Sequence, residues 1–390
     1  METNQNWSKF ASLFANMVFG SWYLLVGGLL ATSLPLVKVI VVLLLGNLLA
    51  SFLFFLIGNI GFKKRQSTYE IAEPVFGQYG SRYLISILLV FARIGWVAVR
   101  AELGGLAISQ ISGLPNYVGI TIFTVLLILA TIGTFKKLSF YGFIALLSTI
   151  LLSVFGLNAV FNNLSISKIF EYFPAKQISL WQGINIVLIS KISFGAIVPD
   201  FFQKAKSKGD VFWGSFMGFL PAGLVAGTIG AILTITTGTY DLVAILTRLN
   251  LPLLGFLFLA LSSFAPATLY PTGVGISSIV NKKTEAMRKI GTALAGLIGM
   301  SFAFFGIVAR LTGFLNLLGI VFAPIFGVVF VEYYFKKNKL KTGKFNLAGL
   351  SSWLIGAVVV YLTTNFLPFG VASINGVIIS ALLYYFQSGL

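Results

Sequence analysis

Residues 181–201 read WQGINIVLISKISFGAIVPDF. The stretch is uncharged apart from Lys191 and Asp200, and it has the length of one bilayer crossing, for which roughly 20 mainly apolar residues are needed. A lysine stands at its midpoint and Gly195 follows one turn later. Charge at membrane depth is costly enough to mark a place where something is bound or moved.

The rest of the chain repeats the pattern. Of 390 residues 57% are apolar and 9% charged, and the mean hydropathy of +0.96 excludes a soluble domain, which could not cover its surface with polar groups. Twelve apolar runs are long enough to span: about 8–31, 35–60, 83–111, 117–134, 139–162, 181–201, 212–237, 251–280, 287–309, 312–335, 348–365 and 368–387. The expected fold is an all-α polytopic membrane protein of about 12 transmembrane helices in a single domain, 1–390, bound to the lipid bilayer. METNQNWSKF carries no basic leader, so the first run is expected to be a span and not a cleaved signal.

The net charge of +17 reports topology. With the N-terminus inside, the inner loops hold eighteen Lys and Arg and the outer gaps only five, Lys38, Lys168, Lys176, Arg248 and Arg310. That asymmetry follows the positive-inside rule, so both termini are expected to be cytoplasmic. No basic stripe interleaved with aromatics suggests nucleic acid, and no obligate protein partner is inferred. The chain has no Cys and no His, which removes thiol chemistry, disulfides and His-based metal or proton relays. No catalytic constellation is expected, because an enzyme needs a nucleophile with its base, a carboxylate pair or metal ligands, and the acids at membrane depth are too few. A channel needs a polar stripe recurring over several spans. No cofactor is expected beyond a coupling Na+ or H+.

Gaps between runs are short. The stretch 61–82 reads as an amphipathic interfacial helix broken at Pro74, and 163–180, with Ile169, Tyr172 and Phe173, as a segment lying flat on the outer surface. The first run carries Asn16-Met17-Val18-Phe19-Gly20-Ser21-Trp22 near its middle and the sixth Ser190-Lys191-Ile192-Ser193-Phe194-Gly195. Glycine is common in membrane helices, so each break alone says little. Two breaks five spans apart are what a five-plus-five inverted repeat requires, here about 8–162 and 181–335 with accessory helices at about 348–387.

In the third span Arg93, Trp96 and Arg100 recur at i, i+3 and i+7 and share one face. Arg93 lies nearer the helix start and is expected to reach water or a backbone carbonyl. Arg100 is near the middle, where snorkelling is hardest, and is expected to serve a ligand. Trp96 can stack on a flat ring or pack against helices. Glu102 points about 200° away from Arg100. Lys191 is roughly 13 Å from Asp200 along a straight helix, so it needs another carboxylate, an anionic ligand, carbonyls or loss of its proton; coupling of Glu102 to Lys191 or Arg100 is the expected arrangement. The eighth span, from Ser262-Ser263-Phe264-Ala265 through Thr268 to Gly273, is rich in hydroxyls and prolines that can hold a small cation, though such hydroxyls mostly bond their own backbone.

Gly46-Asn47-Leu48-Leu49, Phe76-Gly77 with Gly80-Ser81, Gly95-Trp96, Pro199-Asp200-Phe201, Leu269-Tyr270 with Gly273, and Val331-Glu332-Tyr333 recur in order over about 10–335. In these features the chain resembles the nucleobase–cation symporter-1 family of cytosine, purine and hydantoin permeases. The resemblance implies a LeuT-type five-plus-five core and a substrate held between spans one, three, six and eight. It implies that Trp96 stacks on the heterocycle and that Arg100 falls where a related permease makes a polar contact. Lys191 falls where an aromatic usually closes the other side. Ser263 matches one hydroxyl of the sodium site, Phe264 replaces another, and Ala265 replaces a substrate-contacting asparagine. Lys191 and Arg100 together shift the pocket toward an anionic or carbonyl-rich ligand.

The reading is a secondary active symporter of the inner (cytoplasmic) membrane importing a nucleobase or nucleobase-like heterocycle by alternating access, coupled to Na+ or H+. The alternative is a proton-coupled carrier of an organic anion or vitamin-precursor pyrimidine. Expected substrate contacts are Gly20, Ser21, Trp22, Trp96, Arg100, Lys191, Ser193, Phe194, Ala265 and Thr268. Coupling candidates are Glu102, Lys191, Ser262 and Ser263, with Na+ at Ser263.

Overall fold

A computed structural model of the chain describes residues 5–133, 138–249, 251–282, 284–336 and 343–388; the side chains at 133, 138–142, 163, 251–253, 260, 262–267 and 278 lie outside that description. The first half runs α1 (Trp7–Val18), α2 (Ser21–Ala31), α3 (Leu36–Lys64), α4 (Thr68–Tyr79), a π-helical turn (Gly80–Ile85), α5 (Ser86–Ser112), α6 (Asn116–Gly133) and α7 (Leu138–Asn163). The second runs α8 (Ile166–Phe170), α9 (Leu180–Gly195), α10 (Val198–Phe202), α11 (Lys208–Thr237), α12 (Leu242–Leu249), α13 (Leu251–Ile279), α14 (Glu285–Phe304) and α15 (Leu311–Phe330). A second π-turn (Val331–Phe335), α16 (Leu347–Asn365) and α17 (Ala372–Gln387) complete the chain.

Each of the twelve apolar runs is helical. Among the described residues, six stretches are individually long and apolar enough to cross a membrane, and the bent α1–α2 pair makes a seventh; α6, α9 with α10, α13, α14 and α17 occupy the other five runs. Both expected breaks are present. α1 and α2 meet at 60°, with Gly20 extended at φ −133° and ψ 162° as the N-cap of α2. α9 stops at Gly195, and α10 restarts at Val198 with Pro199 in its first turn, where the missing proline N–H costs no helical bond.

The expected kink at Pro74 is instead at Gly77, whose φ of +81° interrupts α4. The cause is tertiary. Residues 343–346 run alongside, accepting Gln78 N–H at 3.1 Å and Tyr79 N–H at 2.9 Å, and a Cβ at Gly77 would lie 2.6 Å from the Phe345 Cα. The helix entry is fixed by a reciprocal Ser67–Glu70 cap. The segment 163–180 contains the five-residue α8, with Phe170 and Phe173 exposed.

Packing divides the helices into two bodies. α1, α2, α3, α9, α10 and α11 form one; α5, α6, α7, α13 and α14 form the other; α15, α16 and α17 stack beside α9. In the first body α2 and α11 approach closely through Gly27 and Gly227, where any Cβ on Gly27 would collide with the Gly227 carbonyl. Small residues at such seams let membrane helices pack without a hydrophobic driving force. The two bodies touch lightly across α2–α13 and α7–α11, and the space left between them is the candidate site.

Candidate functional site

A cavity of about 330 Å³ lies between the bodies, inside the range that holds small ligands. One wall comes from the broken helices: Met17 and Val18 at the end of α1, Trp22 on α2, Ser193 and Phe194 on α9, and Asp200 and Phe201 on α10. The facing wall is the α5 face carrying Arg93, Trp96 and Arg100, joined by Thr268 and Pro271 of α13. The i, i+3, i+7 spacing read from the sequence brings the three α5 side chains to one opening.

The aromatic groups close one end. Trp22 and Trp96, one from each body, meet at 5.0 Å between ring centroids and 65°, and Trp96 meets Phe314 at 5.5 Å and 77°. Trp22 is oriented by its indole N–H, which donates to the Met17 carbonyl at 2.9 Å, a group freed by the break. At the other end Asp200 and Phe201 lie beside the basic loops, for the Arg65 guanidinium donates to the Gln203 carbonyl at 2.6 Å. Asp200 accepts the Thr68 N–H at 2.7 Å, which docks the start of α4 on the second break.

The cationic groups differ in what holds them. Arg100, 5% exposed, donates to Thr268 Oγ1 at 2.7 Å and to the Trp96 carbonyl at 3.4 Å. Arg93 donates to the Pro271 carbonyl at 3.3 Å, the kind of partner its position suggested, and it also lines the cavity. Lys191, 2% exposed, donates to the Tyr23 hydroxyl at 2.9 Å and to Asn47 Oδ1, and lies 4.4 Å from the Tyr23 ring centroid. Tyr23 in turn donates to Asn47 Oδ1 at 3.1 Å, and the Asn47 amide to the Leu43 carbonyl at 2.7 Å. Gly223 of α11 leaves the room Asn47 needs, since a Cβ there would strike its Oδ1. Lys191 therefore ties α2, α3 and α9 together through neutral acceptors.

Coupling of Glu102 to Lys191 or Arg100 is not what the structure shows. Glu102 accepts the Val308 N–H at 2.9 Å beyond the end of α14 and is not part of the cavity wall. Its place two residues beyond Arg100 turns it to the far side of α5. Gly20 and Ser21 line a narrow crevice behind the first break, with Asn16, Arg100 and Thr149, rather than the main cavity; Asn16 Oδ1 is buried there without a hydrogen-bond partner among the described residues. Ser262, Ser263 and Ala265 belong to α13, but their side chains, and with them the proposed sodium position, lie outside the described residues. Among the described residues no cluster of three acidic groups suits a metal ion. Sequence reasoning missed Tyr23, Asn47, Met17 and Phe219. Asn47, an amide in an apolar span, was the one with a readable signal.

Two broken helices facing a helical scaffold across a central cavity define a membrane carrier of the inverted-repeat class. The chain belongs to the family of permeases for cytosine/purines, uracil, thiamine and allantoin, whose family model matches residues 2–374. The cytosine permease of Escherichia coli (strain K12) is 24% identical over 373 residues, 94% of this chain and 87% of that protein. The hydantoin permease of Microbacterium maritypicum is 22% identical over 396 residues, 92% of this chain and 80% of its own length. Among solved structures the fold is shared with inward-facing Mhp1 (TM-score 0.83, 16% identity, 98% of this chain and 92% of that one). It is shared too with Mhp1, a nucleobase–cation-symport-1 family transporter, closed around bromovinylhydantoin (TM-score 0.80, 20% identity, 99% and 92%). A Na+-coupled sialic acid symporter matches at TM-score 0.70 with 14% identity over 99% of this chain and 90% of that one. The protein is thus a multi-pass membrane permease of the LeuT-type fold and not an enzyme.

Proposed function

We propose that the protein imports a small planar, nucleobase-like heterocycle across the cell membrane, coupled to a gradient of Na+ or H+, with both termini cytoplasmic and inverted repeats at about 8–162 and 181–335. The observation that carries this reading is the α5 wall, where Trp96 and the Arg100–Thr268 pair face the broken helices across a cavity of ligand size. Trp96 offers an apolar face to the ring. Base–aromatic stacking is worth about 1–3 kcal/mol, and the edges of a carbonyl-rich ring match guanidinium and hydroxyl donors. Trp22, Ser193 and Phe194 meet the ligand from the moving wall, and the breaks at Gly20 and Gly195 supply backbone dipoles at membrane depth. Lys191 fixes the α2–α3–α9 corner and places a cation beside the ligand.

The test is a thermal-shift screen of the purified chain against nucleobases, hydantoins, thiamine-precursor pyrimidines and small carboxylates, with and without sodium. Stabilisation by planar heterocycles, lost in Trp96→Ala, is the expected result; stabilisation by non-planar carboxylates alone contradicts it.

A further inference from the structure

A second cavity, of about 140 Å³, lies where α9, α15, α16 and α17 meet, and it shares no lining residue with the first. Gln182 and Asn185 on its wall precede Gly195 on α9, which puts them about 15–20 Å along the helix from the second break. Its polar lining is neutral: these two amides, Thr312 and Asn316 from α15, and Thr363 and Thr364 at the end of α16. Several of these groups have hydrogen-bonding capacity to spare. Asn185 Oδ1 accepts the Ser373 N–H at 2.9 Å and the Ser373 hydroxyl at 2.7 Å, and Gln182 Oε1 accepts the Ser179 N–H at 2.9 Å. Backbone donors thus fix both amides and leave their NH2 groups to donate elsewhere. Thr364 Oγ1 is buried with no hydrogen-bond partner among the described residues, a condition that costs free energy until something pairs with it.

We propose that this cavity is a second ligand site, separate from the transport cavity, for one neutral cyclic amide. A cavity of about 150 Å³ admits a single benzene-sized ring, so the volume fits one small heterocycle. Among the described residues no ionisable side chain lines the cavity, and a charged ligand or a phosphate headgroup would be buried there without a counter-charge. Amide NH2 and hydroxyl groups instead match the C=O and N–H edge of a uracil-like or hydantoin-like ring. The site also touches the transport cavity through α15. Thr312 and Asn316 flank Phe314, whose ring packs on Trp96. A ligand that bridges α9 and α15 here holds Phe314 on the indole assigned above to substrate stacking. The inference rests on the heterocycle reading only for the kind of ring.

The test is equilibrium dialysis of labelled uracil and hydantoin, up to millimolar concentration, against the purified full chain. The wild type is expected to take up two equivalents of at least one of these rings. Trp96→Ala is expected to weaken one equivalent and leave the other in place. Asn316→Leu is expected to weaken that other one by at least about fivefold, the scale of one neutral hydrogen bond. Thr364→Val removes only the unpartnered hydroxyl, and is expected to weaken the same equivalent as Asn316→Leu without lowering the thermal midpoint of the ligand-free chain. One equivalent in the wild type, sensitive to Trp96→Ala and untouched by Asn316→Leu and Thr364→Val, would overturn the second site and leave the transport reading standing. One equivalent that responds to Asn316→Leu and not to Trp96→Ala would uphold the site and contradict the transport reading. Binding of neither ring would overturn both. Asn316→Leu and Thr364→Val probe the same site, so either decides it if the other fails to fold.

Discussion

Lys191 shows how a buried amine is accommodated without a carboxylate. Its Nζ donates to the Tyr23 hydroxyl and Asn47 Oδ1. Asn47→Leu removes one acceptor and is expected to cost about 1–3 kcal/mol, the penalty of leaving a buried donor unsatisfied; a lowered thermal midpoint in detergent checks it. The triple variant Tyr23→Phe/Asn47→Leu/Lys191→Met is expected to regain most of that loss, because apolar groups then meet apolar groups. Trp96→Ala is expected to weaken heterocycle binding roughly tenfold to a hundredfold, read by calorimetry, with little change in stability. Arg100 and Lys191 were legible in the sequence because a charge inside an apolar run stands out. Asn47 stood out as an amide in an apolar span, but nothing in the pattern linked it or Tyr23 to Lys191, because the three lie on different helices.

The broken helices were legible for a related reason. Glycine at Gly20 and Gly195, five spans apart, marks weak points that the structure realises as a 60° bend and a two-residue gap, 196–197, before α10. The interruption of α4 was misread because Pro74 is the stronger local signal, whereas the break is imposed at Gly77 by residues 343–346, more than 260 positions away in sequence. A pattern search along one segment cannot see a strap supplied by another. Gly77→Ala forces a side chain into a backbone region that is nearly glycine-only and against the Phe345 backbone. The expected cost is about 1–3 kcal/mol, seen as faster amide exchange at Gln78 and Tyr79.

Across the molecule, the two bodies meet at the Trp22–Trp96 contact while the cavity runs toward Asp200 and Phe201 beside the basic loops. The indole contact joins the two bodies at its own end of the cavity. The chain contains no native cysteine, so single cysteines report access cleanly. Ile197→Cys, on the cavity wall, is expected to react with a polar thiol reagent applied from the side of Arg65 and Lys204, and to be protected by bound heterocycle. Labelling only from the opposite side would mean that the cavity opens the other way.

Alternating access of a heterocycle between these walls is best judged by accumulation in proteoliposomes under imposed Na+ and pH gradients. The wild-type chain should concentrate a labelled planar heterocycle above its external level when one of the two gradients is present, and Trp96→Ala should not. Simple equilibration that ignores both gradients, or equal accumulation by the variant, would contradict a coupled carrier that binds its ligand on the Trp96 wall.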